Sequence, residues 1–514
     1  MTDAAASRRN GRDRGRPHPG VNRRAFLGGA ALAGAAALTP LRGPAALAGT
    51  ATGPYDAVAG TAAGPYDPSP ASLNTHPVAP WYRDAKFGIF IHWGVYSVPA
   101  WGDTVDYHAA EWYFYAMRIS AAGKDSTYQH HLSTYGPGVA YDDFIPRFTA
   151  ERYDPHAWVR LFERAGARYF VLTSKHHDGF QLFPNAVSRR NAAVLGPRRD
   201  LVGELFAAAR HSRLRRGLYY SLGEFYNPAL GTPPWDPYTR APIPYTGYVP
   251  VKDYVADYEH VHLRTLIDRY DPDLLWADGQ NWHEDLGAGS IFCPKDLDWR
   301  SGEVLAYYYN RAVERRRDVM VNDRFRAGHA DFAVSEGDKS SYKLRSTPWE
   351  ACLTMGRSWG YDTHEDPARI KSEPALVQLL VDIVAKNGNL LLNIGPRHDG
   401  TIADWQRERL IALGDWLRVN GSAIYGTTPW QRAQDGDVRY TVSPGTFNII
   451  PLSWPGATLT VPGDLPIADG ARMRLLGHHG RPLEWTRQDG SIVITLPSRA
   501  PGHGPDYPCV IAVH

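Results

Sequence analysis

One pattern governs residues 81–430: a short apolar run ends in polar residues, a loop follows, and then an amphipathic helix leads to the next run. Apolar runs occur at 87–91, 169–174, 217–221, 273–278, 318–324, 331–336 and 389–395. Between them lie helical patterns with clear ends. Asp154-Pro155 reads as an N-cap followed by proline in the first turn, Trp158, Leu161, Phe162 and Ala165 share one face, and Gly166 stops the helix. Asp200 caps the next helix. Strands that alternate with helices pair in parallel through crossovers. Seven such strands over about 350 residues predict a (β/α)₈ TIM-like barrel. No GxGxxG follows the first strand, which removes the main support for a dinucleotide-binding open sheet.

After residue 430 the period changes. Short runs at 440–442, 447–450, 457–461, 473–476 and 491–495 are separated by Gly, Pro and Asp turns, which predicts a C-terminal antiparallel β-sandwich over 431–514. The expected organisation is therefore a leader at 1–48, a flexible linker at 49–78, a catalytic barrel at 79–430 and the sandwich.

The leader holds eight Arg, no Lys and two Asp, and its polar part ends in Arg23-Arg24-Ala25-Phe26-Leu27. A mild Ala/Gly-rich run, 28–38, and Ala46-Leu47-Ala48 follow, as in a bacterial twin-arginine export signal. The apolar run is too short to span a bilayer, and no later window reaches the roughly 20 residues required. The expected location is thus outside the cytoplasm, without a membrane span. The whole chain carries 56 Lys+Arg against 54 Asp+Glu, and with the leader set aside the remainder is mildly acidic. That balance argues against nucleic acid as a partner. Aromatic residues make up 12%, which suits stacking on neutral polar ligands. The three cysteines, Cys293, Cys352 and Cys509, form no CxxC and no even framework, so neither a zinc knuckle nor disulfide stapling is indicated.

The polar residues collect where barrels build active sites, at the C-terminal ends of strands. His92, Glu111, His176, His177, Asp178, Asp278, Asp323, Arg324 and Glu336 are the candidates. Asp278 and Glu336 each end an apolar strand before a glycine. Two carboxylates on separate strand ends can serve as nucleophile and acid/base in retaining glycoside hydrolysis. Spacing alone leaves other readings open. Asp278 before Gly279 also suits a turn, and Glu336 a solvated loop. His176 and His177 could bind a metal in a barrel hydrolase, but neighbours on a strand point to opposite faces. Trp93, Trp101 and Trp112 could be core.

Seven motifs in order give the chain a resemblance to the α-L-fucosidases of glycoside hydrolase family 29. They are Phe87-Gly88-Ile89-Phe90-Ile91-His92-Trp93-Gly94-Val95-Tyr96-Ser97-Val98-Pro99, Glu111-Trp112-Tyr113, Lys175-His176-His177-Asp178-Gly179-Phe180, Leu275-Trp276-Ala277-Asp278, Val321-Asn322-Asp323-Arg324, Ser358-Trp359-Gly360-Tyr361 and Asn389-Leu390-Leu391-Leu392-Asn393-Ile394-Gly395-Pro396. The resemblance implies a retaining exo-α-L-fucosidase with Asp278 as nucleophile and Glu336 as acid/base, acting on fucosylated glycans or glycosides without metal or cofactor. It places His92, Glu111, Trp112, His176, His177, Tyr219 and Trp276 on the sugar and Arg324 beside the carboxylates. Phe183 and Phe325 stand where relatives often carry Trp, with an expected effect on the pocket rim. The rival readings are a metal-dependent barrel hydrolase using His176 and His177, and a non-catalytic sugar-binding protein.

Overall fold

Seven of the eight strands of the central parallel sheet lie where the apolar runs predicted them. The computed structural model describes residues 64–103, 109–119, 126–231, 234–236, 238–279, 297–337, 342–498, 502 and 504–514. The leader at 1–48, the first part of the linker and Cys293 lie outside these residues.

The barrel strands are β1 (Phe87–Ile91), β2 (Tyr169–Lys175), β3 (Arg215–Ser221), β4 (Leu274–Asp278), β5 (Met320–Val321), β6 (Ala333–Glu336), β7 (Trp349–Leu353) and β8 (Gly388–Ile394). Their order is β5-β4-β3-β2-β1-β8-β7-β6, and the circle closes at one parallel bridge, Asn322 to Phe332. The helices are α1 (Pro70–Leu73), α2 (Pro80–Ala85), α3 (Tyr113–Ile119), α4 (Ser126–Thr134), α5 (Pro155–Arg164), α6 (Leu201–Ala208), α7 (His260–Tyr270), α8 (Ser301–Glu314), α9 (Glu373–Ala385) and α10 (Asp404–Asn420). The caps read from sequence form as expected. Asp154 accepts from the Ala157 amide at the start of α5, Asp200 accepts from the Gly203 amide at the start of α6, and Gly166 adopts φ +82° after α5.

Alternate strand residues face two cores. Those facing inward, among them Phe90, Tyr169, Val171, Tyr219, Trp276, Cys352 and Leu391, fill the barrel with α2 packed against them. Those facing outward pack under the helices, where Trp158, Phe162, Leu205, Leu263, Leu380 and Trp416 are buried. Each fully buried side chain of this size contributes about 1.5–3 kcal/mol. Strand β7 escaped the sequence pattern. Its core sequence, Trp-Glu-Ala-Cys-Leu, places Glu350 at an inward position where an apolar residue is the usual signal.

Residues 64–78 correct the linker expectation, because they are folded against the barrel. Leu73 is fully buried, and the Tyr66 amide donates to Asn310 Oδ1 on α8. His76 stacks on Tyr309 at 3.7 Å and bonds Asp331 Oδ1 at 2.8 Å. Asp331 also accepts from the Val321 amide and the Tyr309 hydroxyl. It thereby ties the N-terminal segment to both strands flanking the weak β5–β6 seam.

The C-terminal strands are β9 (Thr428–Asp435), β10 (Val438–Ser443), β11 (Thr446–Pro451), β12 (Thr458–Pro462), β13 (Met473–Leu475), β14 (Trp485–Gln488), β15 (Ser491–Thr495) and β16 (Ile511–Val513). They form antiparallel sheets of order β13-β16-β11-β10-β9 and β12-β15-β14 around Tyr440, Ile449, Val461, Met473 and Ile492. This sandwich rests on α9 and α10 through Arg439 with Asp382, Tyr507 with Glu373 and Trp416 with the Pro508 carbonyl. Cys352 and Cys509 are buried free thiols. Among the described residues no helix is long and apolar enough to cross a membrane.

The seam clamp yields a stability prediction. Burial pushes the Asp331 carboxyl up, but hydrogen bonds from His329 and His76 outweigh this and hold it below the ordinary aspartate value. Asp331→Ala should destabilise the fold by about 3 kcal/mol, since it leaves buried donors unpaired. A carboxyl held low contributes stability above its unfolded value and loses that contribution as pH falls. The deficit in urea unfolding should therefore be largest near neutrality and shrink below pH 3.8.

Candidate active site

Ten of the twelve site residues read from the sequence line a single cavity at the C-terminal end of the barrel, and Asp178 and Asp323 lie outside that lining. His92, Tyr219, Trp276 and Asp278 come from the ends of β1, β3 and β4, and Glu336 ends β6. Arg324 sits in the one-turn helix after β5, and Glu111 and Trp112 in the loop after β1. His176 and His177 both face the cavity. Strand β2 shifts register between Thr173 and Lys175 and ends there, so the two imidazoles lie in a turn rather than on a strand, and the alternation of faces no longer applies. Sequence reasoning did not single out Phe90, Cys352 and Trp359, which complete the lining. Phe90 is an inward position of the first motif and Trp359 belongs to the sixth, so both signals were present. Cys352 lies on the unread strand.

The cavity has a charged end. Asp278 Oδ2 accepts from the Tyr219 hydroxyl at 2.8 Å, and Oδ1 accepts from Arg324 Nη1 at 2.7 Å and from the Gly279 amide at 2.9 Å. The other arm of the same guanidinium, Nη2, donates to Glu336 Oε2. Arg324 lies over the Trp276 ring at 4.8 Å. Burial would weaken the cation, but Asp278 and Glu336 more than offset that and hold it firmly protonated. A planar fork can serve two carboxylates at once, which an ammonium cannot do with the same geometry. Asn322 steadies this corner. Its amide pairs with both the N–H and the C=O of Ala277, at 3.0 Å each, and so extends two-residue β5 alongside the strand that carries Asp278.

The other end is built from neutral groups. His92 Nδ1 lies 2.7 Å from Asn393 Oδ1, and the Asn393 amide nitrogen donates to the Trp359 carbonyl. The amide orientation therefore makes His92 Nδ1 the protonated nitrogen and leaves Nε2 as an acceptor. Burial pulls its pKa down to about 4. The same logic fixes His177. The Ser221 hydroxyl donates to the Gly223 carbonyl, so His177 Nδ1, at 2.5 Å, donates to Ser221 Oγ. His177 Nε2 faces the Tyr219 hydroxyl at 3.3 Å and Asp278 Oδ2 at 3.7 Å. Burial, then neighbouring imidazoles, holds His176 well below the usual histidine range, and its Nδ1 is buried without a protein partner. Glu111 Oε2 accepts from the Trp359 and Gly360 amides, yet burial pushes its carboxyl up to about 8. At neutral pH it carries a proton, and Oε1 is buried without a protein partner. This end can donate to and accept from hydroxyls without placing charge against them.

Phe183 and Phe325 correct the rim expectation. Both are buried and neither lines the cavity. Trp93 and Trp101 are core, whereas Trp112 lines the cavity beside Phe225 and His177. Among the described residues the group close enough to hold a metal ion is His76, His329 and Asp331, not the His176–His177 pair. Within that group the ligand atoms bond one another and Tyr309, which reads as a hydrogen-bonded clamp.

Residues 56–422 match the family model described as Alpha-L-fucosidase. The chain is similar to tissue alpha-L-fucosidase of Rattus norvegicus, at 36% identity over 84% of this chain and 89% of that protein. Its likeness to the tissue alpha-L-fucosidase of Homo sapiens is 35% over 84% and 88%. The crystal structure of Thermotoga maritima alpha-fucosidase in complex with fucose matches with TM-score 0.70 and 36% identity, over 87% of this chain and 100% of that one. The same enzyme in complex with a mechanism-based inhibitor gives TM-score 0.71, over 87% and 99%.

The imidazole assignments are open to measurement. Long-range ¹⁵N spectra should show His92 as the Nδ1–H tautomer, titrating near pH 4. Because the Asn393 hydrogen bond favours the charged ring, Asn393→Ala should move that titration lower and remove the tautomer preference.

Proposed function

Since the chain belongs to the alpha-L-fucosidase family, we propose that it is a retaining exo-α-L-fucosidase that removes terminal α-L-fucosyl residues from glycans or glycosides. In this reading Asp278 is the nucleophile and Glu336 the acid/base. The observation that carries it is the guanidinium of Arg324, which joins both carboxylates at one sugar-sized cavity.

In the first step Asp278 attacks the anomeric carbon, the glycosidic C–O bond breaks, and the Glu336 proton passes to the leaving oxygen. Arg324 and the Gly279 amide hold the Asp278 side chain in place until then. Forming the glycosyl ester removes the charge from Asp278. Arg324 is then left with one carboxylate partner, Glu336. In the second step Glu336 takes a proton from water, the water oxygen bonds the anomeric carbon, and Asp278 departs as carboxylate. Two inversions at one carbon return the original configuration.

The neutral end suits the rest of the sugar. Fucose presents three hydroxyls and one methyl group. His92 Nε2 can accept a hydroxyl proton, and protonated Glu111 can donate one. The faces of Phe90, Trp276 and Trp359 suit the apolar side of the ring. Residues 1–48 fit an export signal of the twin-arginine type, with the catalytic barrel over 79–430 and the sandwich as its brace over 431–514.

Hydrolysis of an aryl α-L-fucoside tests the proposal. Asp278→Ala should lower kcat by at least about 10⁴-fold. NMR of the reaction mixture should show the α anomer of free fucose forming first. A β anomer as first product, or near-normal turnover in Asp278→Ala, would overturn the assignment. Glu336→Ala should lower kcat/KM about 10²–10⁴-fold for an alkyl fucoside but much less for an activated aryl fucoside, because a good leaving group needs no proton, whereas kcat should fall for both because the water step loses its base.

A further inference from the structure

A carboxylic acid sits in the middle of the barrel, below the cavity and outside its lining. Glu350 of β7 is fully buried, at an inward position two residues before Cys352. Barrel interiors are packed with branched apolar side chains, and a buried carboxyl there is costly unless it is well bonded. Three neutral donors converge on it. The Tyr82 hydroxyl from α2 lies 3.2 Å and the Tyr169 hydroxyl from β2 lies 2.5 Å from Oε2, and the Trp276 indole N–H from β4 lies 2.9 Å from Oε1. The first two belong to the barrel floor. The third leads to the cavity wall.

We propose that Glu350 is a positioning residue for the reaction: it holds the Trp276 indole, and through that ring the Arg324 guanidinium that joins Asp278 and Glu336. The inference rests on the fucosidase reading above. Trp276 has neighbours on several sides. Arg324 lies over it at 4.8 Å, Tyr219 stacks on it at 5.6 Å with an interplanar angle of 21°, and Phe90 packs at 5.0 Å. An N–H held by a carboxylate sets the rotation of the indole. It also enriches the ring in electron density, which strengthens its hold on a cation. Tyr219 in turn donates to Asp278. Both side-chain donors to Asp278, Arg324 and Tyr219, therefore lean on a single ring whose angle Glu350 sets.

The charge on Glu350 matters to this role, because an ionised carboxylate accepts more strongly than an acid. Burial pushes the carboxyl up to about 7, against the pull of its three donors. The groups facing it are Tyr82 from α2, Tyr169 from β2 with Asn389 of β8 beside it, Trp276 from β4, Asp323 from the turn after β5, and Cys352 on its own strand. Asp323 opposes its ionisation and the three donors favour it. Loss of a floor donor should therefore disfavour the anion and move its titration to higher pH.

The test uses the full chain and an aryl α-L-fucoside. Glu350→Gln keeps the shape and one acceptor oxygen but loses the charge. It should lower kcat about ten-fold, leave KM within about two-fold, and displace the acid limb of the kcat profile. Glu350→Leu, with no acceptor, should lower kcat at least about a hundred-fold. Tyr169→Phe removes a donor to Glu350 but touches neither the cavity nor Asp278 and Glu336, and its acid limb should move to higher pH. Profiles of Glu350→Gln and Tyr169→Phe that superimpose on wild type would overturn the proposal. If Glu350→Gln fails to fold, the Tyr169→Phe profile decides alone. A wild-type protein inactive on every α-L-fucoside would instead sink the fucosidase reading and leave the geometry of the Trp276 ring standing.

Discussion

The Arg324 guanidinium, shared between Asp278 and Glu336, is the constraint around which the site is arranged. A half-buried cation is costly unless opposite charges sit within reach. Here two carboxylates meet that condition, and each must approach from a different strand. Asp278 arrives on the fourth strand, Glu336 on the sixth, and Arg324 on the turn between. The barrel is the device that brings these three chain segments to one rim. The Trp276 ring lies beneath the guanidinium, 4.8 Å from it, and covers one of its faces.

Charge is confined to that corner. Three buried imidazoles and a protonated Glu111 form the remainder of the polar wall, and burial keeps each of them neutral at neutral pH. A sugar is itself neutral. Ionised groups around its hydroxyls would bind ground state and transition state alike, with no gain in rate. Placing the fixed charges only beside the anomeric centre aims them at the one atom where charge develops during glycosyl transfer. The tautomers follow from the same economy of groups. Asn393 and Ser221 each accept from an Nδ1 and so turn each Nε2 into an acceptor.

Much of this was legible in the sequence, for reasons that can be named. Apolar strands ending in His, Asp or Glu announce both a parallel barrel and its active rim, because one periodicity produces both. The N-caps at Asp154 and Asp200 and the stop at Gly166 are local chemistry and formed as read. What escaped was polar where the pattern expects apolar residues. Strand β7 carries Glu350 inward, and residues 64–78 look like a linker because they continue a stretch of Gly, Pro and Ala with a repeated Gly-Pro-Tyr-Asp. Their order comes from long-range partners, Asn310 and Asp331, more than 240 residues away along the chain. In the sandwich, β9, β14 and β16 were missed. The first two are exposed edge strands with mixed polarity, and the third has only three residues.

The seam between β5 and β6 shows why side chains had to take over from the backbone. Strand β5 has two residues, and a single bridge, Asn322 to Phe332, joins the two sides. Yet Arg324 and Glu336, two of the three charged groups of the site, both leave from this seam. Full strand pairing would lock both to the register of the sheet. Instead, the Asn322 amide pairs with Ala277, Asp323 Oδ2 accepts from the Val334 amide, and Asp331 gathers the Val321 amide, Tyr309 and His76. These bonds fix the base of each side chain and leave the tip of Glu336 partly exposed. A group that must give a proton to the leaving oxygen and then take one from water has to address two positions in turn. A firmly anchored strand with a solvent-reaching carboxyl allows that, whereas Asp278, which must hit one carbon, is held by three donors.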